Sequence, residues 1–151
     1  MTPNSTPSAL NDTDLLFGTL PEISTALKKR QISSVDLTTL YLARLETLGP
    51  KLGALAHLTR PLALVQAAQA DRERMAGKVR GPLHGIPFGV KDLLATANDP
   101  TEWGSPAHAG QVFDYDAAAV AAPGPEEEPP AQCSRFQGVL PGPVEDALPK
   151  R

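Results

Sequence analysis

"GPLHGIPFGVKD", Gly81 to Asp92, leads through turn-forming glycines and prolines into a short apolar run, Phe88-Gly89-Val90, and ends on a lysine and an aspartate. A run that brief, bounded by Gly and Pro, predicts a short buried strand followed by a second loop punctuated by Pro100, Gly104 and Pro106. A lysine amine is protonated in water at pH 7, so its use as a general base requires burial or nearby positive charge. The tip of an interior strand, with glycines and prolines permitting close backbone approach, is a place where Lys91 can be desolvated in that way. Asp92 then reads as a carboxylate that holds the turn through nearby backbone or hydroxyl groups. Spacing alone equally allows a bland alternative, in which the strand ends in a charged turn and Lys91 pairs with Asp92 or another acid.

Upstream of this stretch the periodicity is helical. Thr19-Leu20-Pro21-Glu22 has the form of a capping box with proline in the first turn, and it opens a helix carrying Ile23 and Leu27 on one face. The run Lys28-Lys29-Arg30 complements the negative end of that helix as solvated charge. In "SSVDLTTLYLARLETLGP", Ser33 or Ser34 caps a second helix whose apolar face runs through Val35, Leu37, Tyr41, Leu45 and Leu48 and which stops at Gly49-Pro50. Leu52 to Thr59 is too short for a helix and predicts a strand bearing a packed or surface His57. Pro61 starts a third helix that turns charged near its end and closes with Gly77 in the left-handed conformation.

The chain has 151 residues, 41% of them hydrophobic, and a formal net charge of −3, which fits one modest domain and offers no electrostatic ground for direct binding to nucleic acid or anionic lipid. "MTPNSTPSALNDTD" has neither a basic start nor an apolar run, so residues 1–14 read as a flexible, polar N-terminus and the cytoplasm is the default location, with no membrane role. Cys133 is the single cysteine, and His57, His84 and His108 lack metal-ligand spacing, so no metal site is expected. His84 reads as a turn histidine bonded to backbone, and Trp103 and Phe113 as packing residues. Neither a G-x-x-x-x-G-K-[ST] nor a G-x-G-x-x-G pattern is present, which disfavours nucleotide binding. After Val120 the texture changes: residues 121–151 hold seven of the sixteen prolines and the run Glu126-Glu127-Glu128, without apolar periodicity, so a disordered tail is expected.

"GPLHGIPFGVKD" closely resembles the lysine-bearing segment of the amidase signature family. "ISSVDLTTLYLARLETLGPKLGALAHLT" before it and "PTEWGSPAHAGQVFDYDAAAV" after it are similar to the same family, so the resemblance covers residues 15–120. It implies an α/β fold, here the N-terminal part of a mixed sheet flanked by helices. It also implies cleavage or transfer of amides through a nucleophilic serine, a second serine in a cis peptide, and a lysine acting as base through that serine, with no metal or organic cofactor. Lys91 matches the lysine. The two serines belong to a Gly- and Ser-rich segment that nothing after Lys91 resembles. Only Ser105 and Ser134 follow, the first at a non-catalytic family position and the second in the tail.

The texture change after Val120 therefore reads as a shift of coding frame that leaves a truncated, inactive fragment. A small-molecule amide is the implied substrate of the full-length family. The alternatives are a non-catalytic gene product, an interaction module that pairs with a complementing C-terminal fragment, or a piece of the A subunit of a glutamyl-tRNA amidotransferase.

Overall fold

A computed structural model describes residues 11–121 and 135–138. The chain begins with two short helices, α1 (Asp12–Phe17) and α2 (Leu20–Lys28), followed by the long pair α3 (Ser34–Leu52) and α4 (Arg60–Met75). Strand β1 (Phe88–Lys91), a 3-10 turn at Pro106–His108, the single-turn α5 (Ala118–Ala121) and β2 (Arg135–Gly138) complete it. The two strands pair in parallel, with Phe88 opposite Arg135 and Lys91 opposite Gly138. No helix of the described residues is long and apolar enough to cross a membrane.

Each of the three predicted helices begins where its sequence signal stands. The Glu22 carboxylate accepts the Thr19 N–H at 2.7 Å and the Thr19 hydroxyl at 2.8 Å, and Ser33 Oγ accepts the Asp36 N–H at 2.9 Å. The ends share one device, a left-handed residue just past the last turn, whose successor bonds back to a carbonyl of that turn. Arg30, Gly53 and Gly77 fill it, with φ of 56°, 59° and 77°. The corresponding bonds run from the Gln31, Ala54 and Lys78 N–H groups to the carbonyls of Ala26, Gly49 and Glu73.

Three expectations change. The second predicted helix, α3, does not stop at Gly49-Pro50 but runs on to Leu52. A proline this close to the end forfeits one helical bond, and the cap at Gly53 restores the terminal carbonyls. The surroundings of Gly49 leave no room for a side chain: a Cβ there would meet that of Leu55 at 2.8 Å, so glycine lets the chain fold back across the helix. The strand predicted over 52–59 consequently does not form, because Leu52 belongs to α3 and the remainder is a short connector packing Leu55 and Leu58 against the helices. The flexible stretch 1–14 is corrected at its end, where Asn11 caps α1 by accepting the Asp14 N–H at 2.9 Å. Its residues 1–10, like most of the tail expected to be disordered over 121–151, lie outside the described residues. Ala121 closes α5, and Arg135–Gly138 form β2.

The core joins Leu15, Ile23, Leu27 and Leu37 to Ile86, two residues before β1, and a second cluster joins Leu42 to Ala63 between α3 and α4. On α3 the buried stripe is Ser34, Leu37, Thr38, Leu42 and Gly49, turned slightly from the predicted Val35 face. Leu37 is fully buried whereas Leu52 is 67% exposed. Replacing Leu37 with Ala should therefore cost about 2–5 kcal/mol in urea unfolding, and Leu52→Ala less than about 0.5 kcal/mol.

Candidate active site

Lys91 is the last residue of β1, as the strand-end reading requires. Along the strand Val90 is buried, while Gly89 and Lys91, which share the opposite face, are exposed. The desolvation expected of the lysine is thus not met by this chain's own described residues. The other β1 residue on that face is Gly89, a bare stretch of backbone that another segment can approach closely.

Asp92 follows on the buried side, with 3% of its surface exposed. Its Oδ1 accepts the Glu102 N–H at 2.8 Å and its Oδ2 the Gly104 N–H at 3.1 Å, the turn-holding role read from the sequence. Between these donors Trp103 has φ +57° and Gly104 φ +65°, so the backbone curls into a concave nest around the anion. The Glu102 side chain extends the tie by accepting the Gly110 N–H at 2.6 Å and lying 3.2 Å from His57 Nε2. Those two interactions, the Gly110 bond first, hold the Glu102 carboxyl below its ordinary range. His57, predicted to be packed or exposed, is partly exposed in the α3–α4 connector, with Nε2 facing the Glu102 carboxylate.

Trp103 and Phe113 pack at the rim, as expected. The Trp103 ring meets His108 edge-on at 4.7 Å and Phe113 at 6.1 Å, and Phe113 reaches Tyr115 at 5.3 Å. Ser105 is tied into the same turn, its N–H donating to the Glu102 carbonyl at 3.0 Å. Ser134 and Cys133 lie outside the described residues. Among the described residues no group of three or more His, Cys, Asp or Glu side chains could hold a metal ion.

A charged cluster behind β1 has no counterpart in the sequence reading, which gave the end of "QADRERM" only as a charged helix terminus. Glu73 pairs with Arg80 and lies 3.1 Å from Nε2 of the buried His84. His84 Nδ1 accepts the Arg80 N–H at 3.2 Å, which leaves the neutral ring's proton on Nε2, facing Glu73. His84 is therefore a turn histidine bonded to backbone, as predicted, with a carboxylate added. Arg74 donates to the His84 carbonyl from Nε at 3.2 Å and Nη2 at 2.7 Å. Asp71 accepts the N–H groups of Ser34 and Val35 at 2.7 and 3.1 Å, and Ser34 Oγ donates to the Gly85 carbonyl at 2.6 Å. The one local signal for the cluster is the spacing of Glu73 four residues after Gln69, whose amide donates to it at 2.7 Å.

Against known proteins, the Amidase family model matches residues 36–122, more than half of the chain, and ends two residues beyond Val120. The A subunit of the glutamyl-tRNA(Gln) amidotransferase of Methylococcus capsulatus is 43% identical over 102 residues, covering 68% of this chain and 21% of the relative. Its counterpart in Bdellovibrio bacteriovorus is 41% identical, covering 72% and 22%. The solved peptide amidase of Stenotrophomonas maltophilia superposes with a TM-score of 0.61 at 38% identity, covering 65% of this chain and 20% of that one. The chain thus spans about a fifth of the length of the relatives it matches.

Burial, aided by the positive charges of Arg74 and Arg80, lowers the His84 pKa below its usual 6.5 against the opposing pull of Glu73. For Glu73, burial pushes the carboxyl up, but bonds from Gln69 and Arg80 and the charges of Arg80 and His84 outweigh it and leave the carboxyl below 4.5. Both groups bind protons more readily when unfolded. The His84 contribution to stability is complete above about pH 6.5 and is lost as pH falls through the folded value, and that of Glu73 goes only below about 4.5. Melting curves between pH 7.5 and 5 should show Tm falling, with a shallower slope in His84→Gln. At pH 7.5 His84→Ala should cost about 1–3 kcal/mol, because the Arg80 N–H and Glu73 lose a buried partner.

Proposed function

The chain belongs to the amidase family, and on that premise we propose that it carries the general base of a Ser-Ser-Lys amide-cleaving centre, Lys91, without the serines that complete it. The observation that supports this reading is the strand-end lysine on the exposed face of β1, next to Gly89 and anchored from behind by buried Asp92. In such a centre a neutral lysine amine takes a proton from a bridging serine hydroxyl, which takes one from the attacking serine. The proton then returns to the departing amine. Covering the exposed face with the serine-bearing segment would strip water from Lys91, the condition under which a lysine amine serves as a base. Without that segment the chain lacks a nucleophile and oxyanion donors, so by itself it does not turn over amides.

The relatives suggest two substrate classes. The higher identity to the amidotransferase subunits favours an amide donor used for transfer onto glutamyl-tRNA(Gln), and the peptide amidase similarity favours a peptide amide. In either case a small amide is the group cleaved, and the complementing partner is the remaining part of an amidase fold.

The test is reconstitution. The purified chain is mixed or co-expressed with the part of the Methylococcus capsulatus or Stenotrophomonas maltophilia relative that lies beyond the matched region, and ammonia release from glutamine and from a peptide amide is measured. The chain alone should give no rate above background. The reconstituted mixture should hydrolyse one of the two, and Lys91→Ala should lower its kcat by about 10²–10⁴-fold. Activity of the chain alone, or a reconstituted rate indifferent to Lys91→Ala, would overturn the assignment.

A further inference from the structure

We propose that Asp92 is the positioning residue for Lys91: its carboxylate, held in the backbone nest at Glu102–Gly104, fixes the end of β1 so that the lysine leaves the strand on the Gly89 face. The functional part of this inference rests on the reading of Lys91 as a base, but the geometry does not. β1 ends at Lys91 and Asp92 opens the turn that follows, so Lys91 stands between buried Val90 and buried Asp92 and, by the alternation of the strand, emerges on the Gly89 face; holding Asp92 inward fixes that strand end. Asp92 is 3% exposed and spends both oxygens on N–H groups ten and twelve residues ahead, at 2.8 and 3.1 Å.

The nest is itself anchored. Glu102 bonds the Gly110 N–H at 2.6 Å and pairs with His57 at 3.2 Å, while the Thr101 N–H donates to the Gln111 carbonyl at 2.8 Å and the Gln111 side-chain amide returns a bond to the Thr101 carbonyl at 2.9 Å. Two carboxylates in series, Asp92 and then Glu102, thereby join the end of β1 to the connector between α3 and α4. The left-handed conformation of Trp103, unusual for an aromatic residue, is what brings its two flanking N–H groups onto one anion. A short strand whose terminal residue carries the reacting amine needs such a tie, since strand ends otherwise fray and a displacement near 1 Å can cost about 10²-fold in rate.

The experiment compares the full chain with Asp92→Asn, which keeps the side chain's volume but replaces one acceptor oxygen by a donor. Backbone 15N relaxation is read at Lys91, Glu102 and Gly104. In the parent chain all three should have order parameters near 0.85, and in Asp92→Asn they should fall below about 0.6 while α2, α3 and α4 are unchanged. In the reconstituted enzyme the same substitution should lower kcat by about 10²-fold with KM unchanged, and Asp92→Glu should recover part of the loss. A Lys91 amide that stays rigid while Glu102 and Gly104 loosen would overturn the proposal, as would wholesale unfolding of Asp92→Asn, which would make the aspartate a general structural residue. Reconstitution that fails even with the parent chain counts against the catalytic reading alone, because the relaxation result still decides whether Asp92 positions Lys91.

Discussion

The turn that delivers the chain into β1 buries two successive carbonyls, those of His84 and Gly85, and most of the fold is arranged around supplying them with donors. A buried carbonyl left unpaired costs as much as a lost hydrogen bond, so such groups are nearly always satisfied. Arg74, near the end of α4, reaches one, and Ser34, at the start of α3, reaches the other. Gly85 is the residue that permits the contact: its φ is +84°, and a Cβ would lie 3.1 Å from Ser34 Oγ. Asp71 then bonds the N–H groups at the start of α3, so both long helices and the approach to β1 converge on one point. The apolar core supplies the larger part of the burial energy, but this polar junction determines where the strand begins.

From that junction the position of the lysine follows in a few steps. Ile86 inserts into the cluster of Leu15, Ile23, Leu27 and Leu37, Val90 is buried in its turn, and Lys91 emerges on the opposite face. The mixed sheet implied by the family resemblance is represented among the described residues by two parallel strands only. Helices α1, α2 and α3 back the approach to β1 through their contacts with Ile86. What the described residues build is a helix-backed strand end from which Lys91 emerges.

The parts that could be read from the sequence are those determined by local chemistry. Caps at Thr19 and Ser33, the left-handed Gly77 and the Gly-Pro-bounded strand each depend on a few neighbouring residues, and each forms where its signal stands. Gly49-Pro50 misleads because stop signals say nothing about how near the true end they lie, and a helix tolerates proline in its last turn when the next glycine caps it. The Leu52–Thr59 segment misleads for a related reason, since loose alternation over so short a run does not distinguish a strand from a connector folded back on a helix. The charged cluster of Glu73, Arg80 and His84 is barely legible, its one local signal being the Gln69–Glu73 spacing. Charged side chains at the end of a helix normally face water, and here the buried stretch His84–Ile86 makes them face inward. Around the candidate site, the strand-end position of Lys91 and the turn-holding part played by Asp92 are readable from order in the sequence, whereas the tie from Glu102 to His57 joins distant parts of the chain and has no local signature.

The loop between Thr101 and Gln111 also bears on how this part of the molecule tolerates change in length. Surface loops usually absorb insertions and deletions readily, because only their ends are constrained. Here residues 102 and 104 are bonded to Asp92 outside the loop, and residues 101, 102, 110 and 111 are bonded to one another across it, so the register is pinned along its length. Adding or removing one residue would put every later donor out of phase with its acceptor, so among homologous chains length variation should be excluded from this segment and find room instead near the exposed Val79, in the stretch that follows α4.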